Sequence, residues 1–379
     1  MTTAQLHRGP VRRARGARRP PLRVAVVAPP WIPVPPPGYG GIEAVIAALV
    51  RGLAEAGNAV TLFAAPGSWS RHARVVAVLD RQCGDDVGRA RHEADHVRTL
   101  LDLIPKEGRF DVIHDHGDGT LLAFADHFTG PVVHTLHGPL DEQGRAFYAR
   151  HAHRARFVAL SRAQLGDAPQ QMRNVDVIPN PIEPGEWPLE CRKDGYLLWI
   201  GRFAPEKGAH AAIAVARAAG RRLVLAGPVQ PGQDRYFERE VRLHLRDGEV
   251  EYIGEVGGER KRELFARAST LLMPITWPEP FGMVMAEAMT CGTPVLALRA
   301  GSSPEVVEQG VSGFVVDDVD ALVRMLPEAE RLDPAGVRAS AVRRFGLGAV
   351  AAAHEAAYRG AIDAWAPARG SASRAWSTA

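Results

Sequence analysis

Twice along the chain, short aliphatic runs alternate with loops and then with stretches of helical spacing. The first round opens at Leu22–Pro29 (LRVAVVAP), Val-rich and closed by prolines, the pattern of a strand buried on both faces. A loop, PPWIPVPPPGYGG, follows. Ile42, Val45, Ile46, Leu49, Val50 and Leu53 then recur at helical spacing before Gly57-Asn58 and a second strand, Val60–Ala64. Asp111–His114, Pro131–His134, Phe157–Leu160 and Val175–Pro179 continue the series. The stretch Asn180–Gly195, rich in Pro, Gly and charge, interrupts it. A second round follows, with strands at Tyr196–Ile200, Leu223–Ala226, Val250–Ile253, Leu271–Met273 and Pro294–Leu298, and helices such as His210–Ala219 and Lys261–Ala268 between them.

Strands joined by helices build parallel sheets, so the expectation is an α/β chain of two Rossmann-like domains facing across a cleft. The expected boundaries are residues 21–180 for the first domain, 181–195 for the linker and 196–348 for the second domain. An alanine-rich amphipathic helix is expected over 349–365. The length of 379 residues agrees, because one core rarely grows past about 250–300 residues. Residues 1–20, rich in Arg, and 366–379 read as disordered tails.

Composition removes several function classes. No apolar run approaches the roughly 20 residues that cross a bilayer, though a peripheral membrane contact stays compatible. Cys83, Cys191 and Cys291 have no C-x-x-C spacing, which argues against a cysteine-based zinc site or a disulfide scaffold and fits a reducing cytoplasm. The net charge is only +3, and the basic block before residue 24 lacks the apolar segment of a secretory signal. No nucleic-acid partner is expected. The chain has four lysines against 42 arginines. A lysine kept against that bias invites a reason, and a compact ammonium aimed at a phosphate is one.

Three segments could carry chemistry. Gly38-Tyr39-Gly40-Gly41 lies between a strand and a helix start, where Gly40 and Gly41 let backbone N–H groups approach an anion. It is neither a dinucleotide nor a Walker A fingerprint. Gly201-Arg202-Phe203-Ala204-Pro205-Glu206-Lys207-Gly208 follows the first strand of the second round, at the strand end where open α/β sheets bind ligands. Arg202 and Lys207 put two cations there. The third is Glu279-Pro280-Phe281-Gly282-Met283-Val284-Met285-Ala286-Glu287. Phe281–Met289 reads as a buried helix, with Glu279 before it and Glu287 about 7 Å along its axis at about 1.5 Å per residue. The backbone N–H groups of Gly282, Met283 and Val284 lie between the two carboxylates. A molecule with hydroxyls at both ends and phosphates in the middle matches that order, as a nucleotide sugar does.

With these residues in view, GRFAPEKG and EPFGMVMAEAMTCGTPVLA resemble the donor-site motifs of family 4 retaining glycosyltransferases (glycosyl transferases group 1), which have the GT-B fold. Glu279 and Glu287 form the E-x7-E pattern. GYGGIE, TLHGP, VIPNPI and SSPEVVEQGVSGFVV support the resemblance, which spans about Leu22 to Trp365. Pro181 departs from it, standing where the family often has glycine. WIPVPPPGYGGIE is also similar to a bacterial subset found in oligosaccharide-antibiotic biosynthesis.

The resemblance implies a hexosyltransferase that moves a sugar from a nucleoside-diphosphate sugar, with uridine favoured, to a hydroxyl acceptor with retention. The sugar nucleotide is a substrate, and neither a cofactor nor a metal is implied. Arg202 and Lys207 would bind the diphosphate, Glu279 the sugar hydroxyls and Glu287 the ribose, with Gly201 and Phe281 in the donor site. Gly40 and Gly41 would face the diphosphate, and His137 would sit near the anomeric carbon. The last helix would return to the first domain. Competing readings are an epimerase or phosphorylase on the same fold and a non-catalytic sugar-nucleotide binder.

His114-Asp115-His116-Gly117-Asp118 stays open at this stage. Strand alternation sends His114 and His116 to one face and Asp115 to the other. The cluster could line the acceptor side of the cleft, form structural hydrogen bonds, or hold the metal of a hydrolase.

Overall fold

The computed structural model describes residues 20–38, 40–166, 168–245 and 248–372. The first half holds seven strands: β1 (Arg23–Val27), β2 (Ala59–Ala64), β3 (Arg74–Ala77), β4 (Val112–Asp115), β5 (Val132–Thr135), β6 (Ala155–Ala159) and β7 (Val175–Val177). The second holds β8 (Leu197–Ile200), β9 (Leu223–Ala226), β10 (Val250–Tyr252), β11 (Thr270–Met273), β12 (Val295–Leu298) and β13 (Gly313–Val316). Helices α1 (Gly41–Glu55), α2 (Ala90–Lys106) and α3 (Glu142–His151) belong to the first half. The second carries α4 (Ala209–Ala218), α5 (Asp234–Glu240), α6 (Gly258–Arg267), α7 (Met283–Thr290), α8 (Ser303–Val306), α9 (Val319–Glu330) and α10 (Pro334–Phe345), and α11 (Leu347–Ala372) follows.

Both sheets are parallel, in the orders β3-β2-β1-β4-β5-β6-β7 and β10-β9-β8-β11-β12-β13. Each order reverses once, between β1 and β4 and between β8 and β11, and ligands bind where the connections diverge at those carboxyl ends. β3 escapes sequence reading because RVVA is short, lies at the sheet edge and exposes both terminal residues.

The strands are apolar on both faces because helices cover both. In the first sheet, Val24, Val26 and Leu62 pack under Ile46 and Leu49 of α1 and Val350 and Tyr358 of α11. Ala25, Val27 and Ile113 pack on the other side against Val97 and Leu100 of α2. Thus α11, reached after the second sheet is complete, covers the first sheet. It begins at Leu347 and continues to Ala372, so helix replaces part of the expected tail. Once a long helix is nucleated, each added residue gains a hydrogen bond at little cost. Residues 1–19 and 373–379 of the expected tails lie outside the described residues.

The stretch after β7 is held in place. Ile182 donates its N–H to Phe345 O at 2.8 Å, and the Arg338 guanidinium donates to the carbonyls of Pro184 and Trp187 at 2.7 Å each.

Candidate active site

The loops that carry the sequence motifs all leave the carboxyl ends of strands beside the two reversal points. GRFAPEKG follows β8, PITWPEPFG follows β11, the proline-rich GYGG loop follows β1, HGDG follows β4, and LHGP follows β5.

At the second sheet, Pro205–Lys207 forms one tight helical turn and Gly208 closes it at φ 74°. A Cβ on Gly208 would sit 2.1 Å from Pro274 O, so only glycine lets this loop lie against the one after β11. That approach brings Lys207 to Glu279. The Lys207 ammonium donates to Glu279 Oε2 at 2.6 Å and lies 4.0 Å from the centre of the Trp277 ring, and Trp277 Nε1 donates to the same carboxylate oxygen at 2.9 Å. Burial lowers the Lys207 pKa, and the Glu279 charge opposes that shift. An ammonium has three donors, so the carboxylate leaves Lys207 with capacity for an anion. Arg202 donates one N–H to Glu206 Oε1 at 2.8 Å and likewise keeps free valence.

Helix α7 starts just beyond this cluster. Gly282 caps it at φ 75°, and no side chain satisfies its first N–H groups, in contrast to α3 and α9, which Asp141 and Asp318 cap. Met283 and Val284 are half-buried in that first turn. Phe281 is a correction: its ring is 2% exposed and packs edge-on to Phe345 at 5.3 Å, so its side chain belongs to the core. Glu287 is also buried. Its Oε1 accepts from Lys261 at 2.7 Å, while Oε2 is buried without a partner. A buried carboxylate oxygen left open in this way costs free energy until a donor fills it.

At the first sheet, the chain turns at Gly40, where a Cβ would meet Pro36 Cβ at 2.6 Å. Among the described residues nothing lies within 4 Å of a Cβ placed on Gly41, which is exposed at the start of α1. Glu43 in that first turn is buried, and burial raises its pKa.

The histidine cluster divides by face. His114 is fully buried: Nδ1 pairs with the Tyr358 hydroxyl at 2.7 Å and Nε2 with Thr135 Oγ1 at 2.7 Å. It fastens β4 to α11 and β5, which corrects its placement on the acceptor side. Both nitrogens are used, so nothing is left for a substrate. Asp115 turns to the other face, where Oδ2 pairs with His134 Nδ1 at 2.7 Å. His116 is buried and pairs through Nδ1 with His137 Nε2 at 2.9 Å, while its own Nε2 has no partner. His137 is the accessible member of the pair, and burial among neighbouring histidines lowers its pKa to about 3. It acts as a neutral imidazole. Among the described residues, no three metal-ligating side chains gather at one point.

Comparison with known proteins fits this geometry. A family model described as Glycosyltransferase Family 4 matches residues 39–186, and one described as Glycosyl transferases group 1 matches residues 188–338. The crystal structure of AviGT4, a glycosyltransferase involved in avilamycin A biosynthesis, is 32% identical, covers 91% of this chain and 99% of that one, and superposes with a TM-score of 0.69. The chain belongs to the family 4 glycosyltransferases. It is an enzyme of the GT-B fold. A D-inositol 3-phosphate glycosyltransferase of Kribbella flavida is 27% identical over 92% of this chain and 98% of that relative. An Anabaena structure, HepE in complex with UDP-glucose, shares the fold at 18% identity and a TM-score of 0.66, covering 88% of this chain and 99% of that one. No helix among the described residues of the glycosyltransferase is long and apolar enough to cross a membrane.

Gln164, Lys261 and Trp277 were given no role in the sequence reading, and Glu43 and Glu305 were read only as parts of the GYGGIE and SSPEVVEQGVSGFVV motifs. Lys261 had a signal, being one of the four lysines. Glu43 had one too, as a lone carboxylate in the apolar run that starts α1.

Proposed function

We propose that this glycosyltransferase takes a sugar from a nucleoside-diphosphate sugar, uridine diphosphate being the favoured carrier, and joins it to an acceptor hydroxyl with retention of configuration. The observation that carries the reading is the Lys207–Glu279–Trp277 cluster at the β8/β11 reversal, beside the uncapped start of α7. Charge decides the chemistry. As the bond from the anomeric carbon to the phosphate oxygen breaks, the diphosphate gains negative charge. Lys207, Arg202 and the α7 N–H groups stabilise that charge where it develops.

Glu279 takes sugar hydroxyls, and the open Glu287 Oε2 takes a ribose hydroxyl. The acceptor oxygen attacks from the face the diphosphate leaves, and its proton passes to a phosphate oxygen. His137, neutral and paired with His116, lies on the other side of the cleft as a hydrogen-bonding neighbour of the reacting carbon. Protein cations and helix dipoles do the work a metal does elsewhere, so the reaction runs without one. The UDP-glucose bound by the Anabaena neighbour supports the choice of carrier. The three free cysteines suit work in the cytoplasm.

The test is release of UDP from UDP-glucose, with and without saccharide or cyclitol acceptors, in excess EDTA. Acceptor-dependent release that survives the chelator is expected. Release that never depends on an acceptor would defeat the transferase assignment for this donor, and a strict need for Mg²⁺ or Mn²⁺ would defeat the metal-free mechanism.

A further inference from the structure

The donor half and the His137 loop are joined by a run of hydrogen bonds linked through adjacent residues of the backbone. It begins at Glu279. Gly301, at φ 49°, presses on the Glu279 backbone so closely that a Cβ there would lie 2.3 Å from Glu279 N, and Ser302 donates its N–H to Glu279 O at 2.9 Å. One turn on, in α8, the Glu305 carboxylate crosses to the first half. Its Oε2 accepts from Arg162 N–H at 2.8 Å and its Oε1 from Ala163 N–H at 2.7 Å.

Those two amides open the turn that holds Gln164, whose side chain is buried. Gln164 Oε1 accepts from Leu160 N–H at 2.7 Å, and its Nε2 donates to Leu136 O at 2.9 Å and to Gly138 O at 2.8 Å. Those carbonyls flank His137. A primary amide has two N–H donors and both are spent here, one on each side of the histidine.

We propose that Glu305 and Gln164 are positioning residues that set the place of His137 from the donor domain. The inference rests on the reading of His137 and Glu279 as members of one active site. A carboxylate holding two adjacent N–H groups fixes both distance and orientation, and such charge-assisted bonds are the strong ones. The bridge closes only when the two halves stand at this separation. Opening the cleft breaks it, and the His137 loop then loses the domain that holds its far side. The coupling makes catalytic geometry conditional on closure over the donor. A displacement near 1 Å at a reacting group costs about 100-fold in rate, so a modest slackening of this loop is visible in turnover.

Hydrogen exchange of the full chain tests the link without any substrate. Leu136 N–H donates to Val158 O at 2.9 Å and reports on the loop. In Glu305→Ala, faster exchange is expected over residues 160–164, and also over 134–140, which Glu305 does not touch. A change confined to 160–164 would overturn the proposal. Kinetics give the second readout. Glu305→Ala and Gln164→Leu are each expected to lower kcat about 10-fold or more while UDP affinity stays within about twofold. The double variant is expected to lose little beyond either single one, and Glu305→Gln, which keeps one acceptor oxygen, should recover part of the loss. Losses that multiply in the double variant, or a fall in UDP affinity equal to the fall in kcat, would show separate structural effects and no linkage. The two readings fail differently: an intact chain that never releases UDP from UDP-glucose counts against that donor, whereas the exchange experiment judges the linkage alone.

Discussion

The two sheet reversals solve opposite electrostatic problems. At β1/β4 the imidazoles are satisfied internally: His114 by Tyr358 and Thr135, His134 by Asp115 and Tyr148, and His116 on one side by His137. At β8/β11 the groups are charged and only partly satisfied. Lys207 and Arg202 each hold one carboxylate with donors to spare, and Glu287 has one buried oxygen open. Neutral imidazoles avoid the cost of burying charge, which suits the place the proposed mechanism gives them, near a positively charged reacting carbon. Spare ammonium, guanidinium and N–H donors suit an incoming dianion. One fold, used twice, thus supplies a wall built on buried histidines and one of part-satisfied charges, and the difference lies in the residues that end the strands.

The largest expected effect breaks this symmetry by acid. Among the described residues, the buried histidines all lie on the first half and on α11. Burial holds His96 and His354 down to about 4 and His114 and His116 well below their ordinary value. The unfolded chain takes up these protons near pH 6.5, the folded chain only much lower. Their stabilisation is therefore complete above about pH 6.5 and drains away as the pH falls towards 4, at up to about 1.4 kcal/mol per pH unit for each histidine. Hydrogen exchange at pH 7 and pH 5 should show β4 and β5 losing protection before β11 and β12. Equal loss in both sheets would mean that the histidine network does not set acid stability.

The next effect strikes the charged wall. Lys207→Ala is expected to lower turnover by about 100-fold, the usual consequence of removing a group that stabilises developing charge. Circular dichroism should be unchanged, because the lysine sits at the rim of the core. Near-normal turnover would remove Lys207 from the mechanism.

A finer contrast separates the two carboxylates. Glu279→Gln should weaken the sugar conjugate more than bare UDP, and Glu287→Gln should weaken both, each by roughly 1.5–3 kcal/mol for a lost charged hydrogen bond. Calorimetry with UDP and UDP-glucose decides it. Equal weakening of both ligands by Glu279→Gln would reverse the donor's orientation along α7.

The smallest effect returns to the histidine wall. Asp118, exposed at its outer edge beside Glu93, has its pKa pushed up to about 6 by loss of water around it first and by that neighbour second. Its charged form is the costly one, so the cost builds as pH rises from about 4 to about 6, is complete above that, and is absent below about 4. Because solvent screens an exposed carboxylate, Asp118→Asn should raise the melting temperature only slightly at pH 8 and by nothing at pH 4. A shift of the same size at both would trace the gain to packing instead.

Much of the architecture was legible because buried parallel strands write themselves as short apolar runs, and their helices as a second period. Eleven of the thirteen strands among the described residues were read this way; β3 and β13, each at the edge of its sheet, were not. β3 was hidden because an exposed edge strand needs neither continuous burial nor clean alternation. The end of α11 was misplaced because composition describes local preference, whereas a helix already docked on a sheet propagates past it.

By itself the sequence determined the alternating halves, the glycines and charges that end their strands, and the lysines retained against an arginine-rich background. Spacing along the chain was enough, because strand ends, helix starts and the residues between them are local. Tertiary structure alone decided which of those residues face each other. Glu279 meets Lys207 across 72 positions, Glu287 meets Lys261 across 26, and His114 reaches Tyr358 across 244. It also turned the Phe281 ring and the His114 imidazole into the interior, since motifs name residues while packing decides where their side chains point. The contacts of Glu305, though it sits in a quoted motif, and of Gln164 carry no signature because their partners are backbone amides and carbonyls, which every residue has and no sequence records.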